Sequence, residues 1–271
     1  MMAHLFKMAL VRQRTLLLLF GALAVALPML IGVTYRALGG GPGLEELWKL
    51  LPEGIKALTR AQGGFLPGMG ATGYMAAGFR HPMLLVLLTA ATVAVALAAL
   101  AREVERGTIL LLLARPIARW KVVVSRSAAL AVIIAVLLAL ILVGFTVGFA
   151  AAGALGELQW LRLLLVLPNA LALFLAIGGY SLLLSARASE GGQVMGPAAA
   201  LTLLFFVLDY SSQLWEPLRP LGYVSLFHYY DPVGVAQSGV LPWRHLAVLL
   251  AVAAAGFGAA IVVFQRRDIA R

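Results

Sequence analysis

Arg102-Glu-Val-Glu-Arg-Gly-Thr108, Ile109-Leu-Leu-Leu-Leu113 and Ala114-Arg-Pro-Ile-Ala-Arg-Trp-Lys121 run together into a charged island that closes at Arg126. The island separates two apolar segments, Met83 to Ala101 and Val122 onward, so it caps a membrane hairpin. A hairpin tip needs no such patterning merely to turn. Read as a helix, residues 103–118 put Glu103 and Glu105 in the first turn and Arg115 with Arg119 at the far end. Each charge then complements the end of the helix dipole at which it stands. Pro116 lacks a backbone donor and obstructs continuation, so such a helix bends or stops near Arg115. Between the charged ends, Ile109 to Ala114 is too short to span a bilayer. Two uses remain open: an interfacial linker whose arginines hold phospholipid headgroups, or a helix that docks into a groove on another protein.

Composition places the chain in lipid. Hydrophobic residues make up 62% of the 271 and charged residues 12%, with a mean hydropathy of +0.98. Soluble domains carry roughly 25% charge. The absence of cysteine excludes disulfides, thiolate metal sites and cysteine nucleophiles. A net charge of +10 suggests nucleic acid at first sight, but the basic residues stand beside apolar spans rather than on one face with interleaved aromatics. The apolar stretch after Arg14 is about 20 residues long without an obvious small-residue cleavage site, which predicts a retained first span.

In chain order, the pattern predicts spans over Leu16–Tyr35, Pro82–Ala101, Trp120–Ala152, Leu161–Ser185, Val194–Leu208 and His245–Phe264. Pro28 is a kink position in the first. Residues 36–81 form a glycine-rich surface loop in which Leu44, Leu47, Trp48, Leu51, Ile55 and Leu58 suggest one or two amphipathic turns broken at Pro52. Residues 209–243 hold four prolines among Trp215, Tyr223, Phe227, Tyr229, Tyr230 and Trp243, the composition of broken helices dipping into the interface.

Six spans put both termini on one side, and charge chooses which. Assigning the N-terminus, the island, the 187–193 turn and the tail to one face collects 13 basic and 4 acidic residues, against 8 and 7 on the other. By the positive-inside tendency the termini and the island are cytoplasmic.

Glu103-x-Glu105-x-Gly107-Thr108, followed by Leu111-Leu112-Leu113-Ala114-Arg115-Pro116-Ile117-x-Arg119, closely resembles the signature of ABC-2 type transporter permeases, the membrane subunits of ATP-binding-cassette exporters. The six-span layout and the basic tail Arg266-Arg267-Asp268 extend the resemblance over essentially the whole chain. Only the island and the tail are sequence-specific. The resemblance implies an all-α integral membrane fold, a single permease domain with a cytoplasmic coupling helix between the second and third spans. It implies that segment 102–119 fits a cleft in a separate ATPase subunit, which binds ATP and Mg, and that no cofactor belongs to this chain. Glu103 and Glu105 would anchor the helix start, Gly107 would allow close packing and Thr108 would bond locally. The helix running to Pro116 would transmit the push, and Arg115 and Arg119 would pair with acidic groups on the ATPase. It also implies a second permease copy or a related permease as partner, and a place in the cell's inner membrane. The residues agree on one point independently: none of the four lysines follows a glycine, so no phosphate-cradling Gly-Lys-Ser/Thr loop is present and energy must come from a partner.

Other candidates carry less. Gly144-x-x-x-Gly148 followed by Ala152 is a small-residue stripe for helix packing, within the chain or across a dimer. His81, His228 and Asp231 lack paired metal-ligand spacing, so no metal is expected. Asp209, near the end of the fifth span, is either a substrate contact or an interface marker. An intramembrane hydrolase is disfavoured because Gly179-Tyr180-Ser181-Leu182 departs from the rhomboid Gly-x-Ser-Gly form and no His-Glu-x-x-His occurs. A secondary transporter or channel working without an ATPase is the alternative, yet it would place ionisable residues in mid-span, where this chain has almost none. An uncharged interior of this kind suits amphipathic or lipid-like cargo better than ions.

Overall fold

The computed structural model describes residues 2–56, 68, 70–109 and 117–267. Among these the chain is helical, with no strand. A short amphipathic helix, α1 (Met2–Arg12), leads into α2 (Arg14–Ala37). The first loop holds α3 (Gly40–Leu50) and α4 (Gly70–Phe79), and α5 (Pro82–Ala99) follows. A five-residue helix, α6 (Ala101–Glu105), opens the island, and α7 (Arg119–Ala151) leaves it. Then come α8 (Trp160–Arg187), α9 (Gly192–Leu214), the short α10 (Arg219–Gly222) and α11 (Pro232–Ser238), and finally α12 (Trp243–Arg266).

Among the described residues six helices are long and apolar enough to cross a membrane: α2, α5 with α6, α7, α8, α9 and α12. They divide into two kinds. The most apolar window of the second span is 67% buried, but those of the first, fifth and sixth only 22%. The second, third and fourth spans therefore form the centre, and leucines such as Leu18, Leu30, Leu203 and Leu250 face outward on the others. In lipid such exposure costs nothing, because acyl chains are as apolar as leucine.

With no hydrophobic force driving helices together inside a bilayer, close packing has to hold them, and glycine provides it. On α7, a Cβ at Gly144 would stand 2.3 Å from the Val25 carbonyl oxygen of α2, and one at Gly148 would stand 2.3 Å from that of Met29. Gly144 and Gly148 thus seat α2 against α7 within one chain, which leaves them closed to a dimer seam; Ala152 is the half-buried residue that ends α7. Gly179 of α8 and Gly256 of α12 meet in the same way, a Cβ on Gly256 falling 2.5 Å from the Gly179 backbone. Gly148→Val should force the α2–α7 pair apart. Its stability loss, of order 1–3 kcal/mol or more for overpacking, is measurable as a lower midpoint of thermal unfolding in detergent.

Helix lengths differ from the apolar runs where charge is matched internally. The fifth span continues through Asp209 to Leu214 because Arg80 neutralises that carboxylate at 2.6 Å. Pro28 lies inside an unbroken α2 with its ring toward Gly144. The first loop breaks after Leu50, at the position of Pro52. Before Leu16, α1 forms where the sequence reading placed no element. Leu5, Ala9 and Gln13 recur every fourth residue and are all buried, with His4, Lys7 and Arg12 exposed between them.

Candidate functional site

The island is where the structure departs most from the sequence reading. Instead of one helix over 103–118, α6 stops at Glu105, Arg106 closes the turn, and Gly107 adopts a left-handed φ of +69°. That backbone conformation favours glycine, and an amide there ends a helix readily. Among the described residues no atom lies within 4 Å of where a Cβ at Gly107 would stand, so within these the conformation is what calls for glycine. Thr108 Oγ1 donates to the Glu103 carbonyl at 3.2 Å, and Thr108 and Ile109 are helical again after the turn. Residues 110–116, with Arg115 and Pro116, lie outside the described residues. The chain resumes at Ile117 and Ala118 in extended form, and α7 begins at Arg119.

Glu103 is buried, and its Oε1 accepts from Arg12 Nη1 at 2.8 Å and from Arg126 Nη2 at 2.7 Å. One carboxylate thereby ties α1, α6 and α7 together. Arg126 is only 3% exposed, so Glu103 is the counter-charge that lets a guanidinium sit there. Glu105 reaches the other way: its Oε2 accepts from the Gly191 amide at 3.1 Å, joining the island to the turn between α8 and α9. Ala101 donates its amide to Ser185 Oγ at 3.0 Å, a second tie to α8.

The tail closes the circuit. Arg119 donates to the carbonyls of Arg267 and Gln265, at 2.5 and 3.4 Å, and Arg267 in turn donates to Ala186 O, Ala188 O and Ser189 Oγ. Burial pushes the Arg267 guanidinium below its ordinary range. The N-terminal helix, the island, the 187–193 turn and the tail, which charge counting placed on one face, are bonded to one another at one end of the bundle. The resemblance implied that Arg119 pairs with acidic groups on an ATPase; within this chain its Nη1 donates to the tail carbonyls. Arg12 and Arg126 were missed as members of this site; the only available signal was an arginine just inside the apolar run of α7.

At the opposite end, Arg80 donates to Asp209 Oδ2 at 2.6 Å and to the Tyr230 carbonyl at 2.5 Å. Asn169 accepts from the Asp231 amide and donates to Tyr229 O, and Tyr230 donates to Phe79 O. Asp209 is thus the anchor of the 209–243 segment. His228 packs between the rings of Tyr223 and Tyr229, at 4.7 and 5.1 Å, and burial holds it below the usual imidazole range against the pull of the Asp209 carboxylate. His81 caps α5 through Nδ1, which accepts from the Met83 amide, and Asp231 caps α11. Among the described residues no group of three or more His, Asp or Glu is placed to hold a metal ion.

Comparison with curated proteins finds no match. A family model described as ABC-2 family transporter protein matches residues 6–269, nearly the full length, with all six spans inside the match. By that match and by its six-span helical architecture, the chain belongs to the ABC-2 family of transporter proteins.

Proposed function

We propose that this chain is the permease subunit of an ATP-binding-cassette exporter, driven by a separate ATPase through segment 102–119. The observation that carries the reading is the way the start of that segment is fastened. Glu103 binds it to α1 and α7, and Glu105 binds it to the α8–α9 turn. A push on the residues that follow would therefore reach α1 and the third, fourth and fifth spans together, as alternating access requires. Arg115 and Pro116 would meet the ATPase, and the network behind them would carry the displacement. On this reading the bonded end is cytoplasmic, the partner binds ATP and Mg, and a second permease copy completes the pathway. The cavity of about 400 Å³ between α5 and α9, lined by Leu85, Val86, Val93, Met195, Leu203 and Phe206, suits apolar or amphipathic cargo.

Co-expression with a tagged ABC ATPase tests the assignment. Arg115→Glu combined with Glu105→Lys should lower ATPase recovery at least ~tenfold, the scale of reversing charges at an interface. Glu105→Gln, which keeps an acceptor for the Gly191 amide, should retain most of it. Unchanged recovery with the double variant would remove segment 102–119 from the ATPase contact.

A further inference from the structure

Beside the Glu103 ion pairs lies a cavity of about 480 Å³, bounded by the end of α1, the start of α2, the end of α5 and the island. Its polar wall is Arg12, Gln13, Arg102, Glu103, Arg106 and Arg126. Four guanidiniums face one carboxylate, and that carboxylate is already shared between Arg12 and Arg126. Arg102 and Arg106 are exposed and have no ionic or hydrogen-bonded partner among the described residues. Gln13 is 5% exposed; its Nε2 reaches Val95 O at 3.5 Å, and among the described residues its Oε1 has no donor. A buried acceptor without a donor is costly, so the cavity asks for a ligand that brings one. Beside the hydroxyls of Thr15 and Thr108, the rest of the wall, Ala9, Leu16 and Ala98, is apolar.

We propose that this cavity binds the headgroup of an anionic phospholipid. The phosphate would take Arg102 and Arg106, whose forked donors suit phosphate oxygens. A headgroup hydroxyl would donate to Gln13 Oε1, and the first methylenes of the acyl chains would lie along Ala9, Leu16 and Ala98. A basic pocket between helix ends at the membrane surface is the place where such lipids are held. An acidic protein partner would satisfy the arginines but would leave the apolar wall and the buried Gln13 acceptor unused. The bound lipid would bridge α1 and α6, steadying the base of segment 102–119.

Native mass spectrometry of the purified full-length chain, with phosphatidylglycerol or phosphatidylcholine added, tests this. Wild type should retain one phosphatidylglycerol per chain and prefer it about tenfold or more, the contribution of two arginines near a membrane surface. Arg102→Gln with Arg106→Gln should reduce retention to the phosphatidylcholine level. Both side chains are exposed and outside the Glu103 ion pairs, so the fold should survive, and Lys121→Gln at the same end should change nothing. Equal retention of the two lipids, or retention indifferent to the double substitution, would overturn the proposal. Displacement of phosphatidylglycerol by millimolar inorganic phosphate alone would reassign the cavity to a free anion. Loss of ATPase co-purification in the double variant, with lipid retention intact, would assign the arginines to the protein partner instead.

Discussion

Glu103→Ala should destabilise the bonded end of the bundle by roughly 3–5 kcal/mol, the cost of leaving a buried charge without its partner. Arg126 is 3% exposed on α7, and among the described residues Glu103 is its counter-charge. Removing that carboxylate also leaves Arg12 and Arg126 facing one another across the site it occupied. Arg12 is half-exposed and can turn to water, but Arg126 cannot. In detergent the midpoint of thermal unfolding should fall by roughly 10 °C, and the contacts of α1 with α7 should loosen. A control separates charge from packing. Glu103→Leu with Arg126→Leu removes both buried ions and should recover most of the loss, since apolar replacement of a buried pair is often neutral or stabilising. If Glu103→Ala unfolds at the wild-type temperature, the carboxylate does not hold these helices together. On the proposed function, the same variant should also uncouple transport from ATP hydrolysis while ATPase binding persists.

Arg80→Ala should have an effect of similar size at the other end, again about 3–5 kcal/mol. The Arg80 guanidinium neutralises Asp209 and satisfies the Tyr230 carbonyl, so one side chain pins the 209–243 segment to the turn between α4 and α5. Without it, Asp209 keeps only Gln213 Nε2 as a side-chain donor, at 2.9 Å. Asn169 and Ser225 still hold the segment through backbone contacts, so it should loosen rather than detach completely. Limited chymotrypsin digestion in detergent reads this directly. Cleavage after the exposed Tyr223 should accelerate strongly in Arg80→Ala, and Arg80→Lys should fall between, because an ammonium lacks the fork that reaches both acceptors. Identical cleavage rates in wild type and Arg80→Ala would show that the segment is held by its apolar contacts alone.

The sequence by itself determined the membrane class, the six spans, the grouping of four basic segments at one end, and the family. Each of these rests on local properties: the length of apolar runs against bilayer thickness, the asymmetry of arginine and lysine between loops, and a short signature. Partner assignments lay beyond it. The resemblance implied that Glu103 anchors a helix start and that Arg119 pairs with an ATPase, but only the fold shows Glu103 between Arg12 and Arg126 and Arg119 on the tail carbonyls. The same holds for Arg80 with Asp209, which are 129 residues apart, and for Gly144 and Gly148, whose stripe gave no hint of whether α2 or a second copy would meet it. The physical reason is common to all of them. Inside a bilayer apolar surface is uninformative about which helix packs on which, so ion pairs and glycine contacts between distant segments decide the arrangement, and these exist only once the helices are side by side.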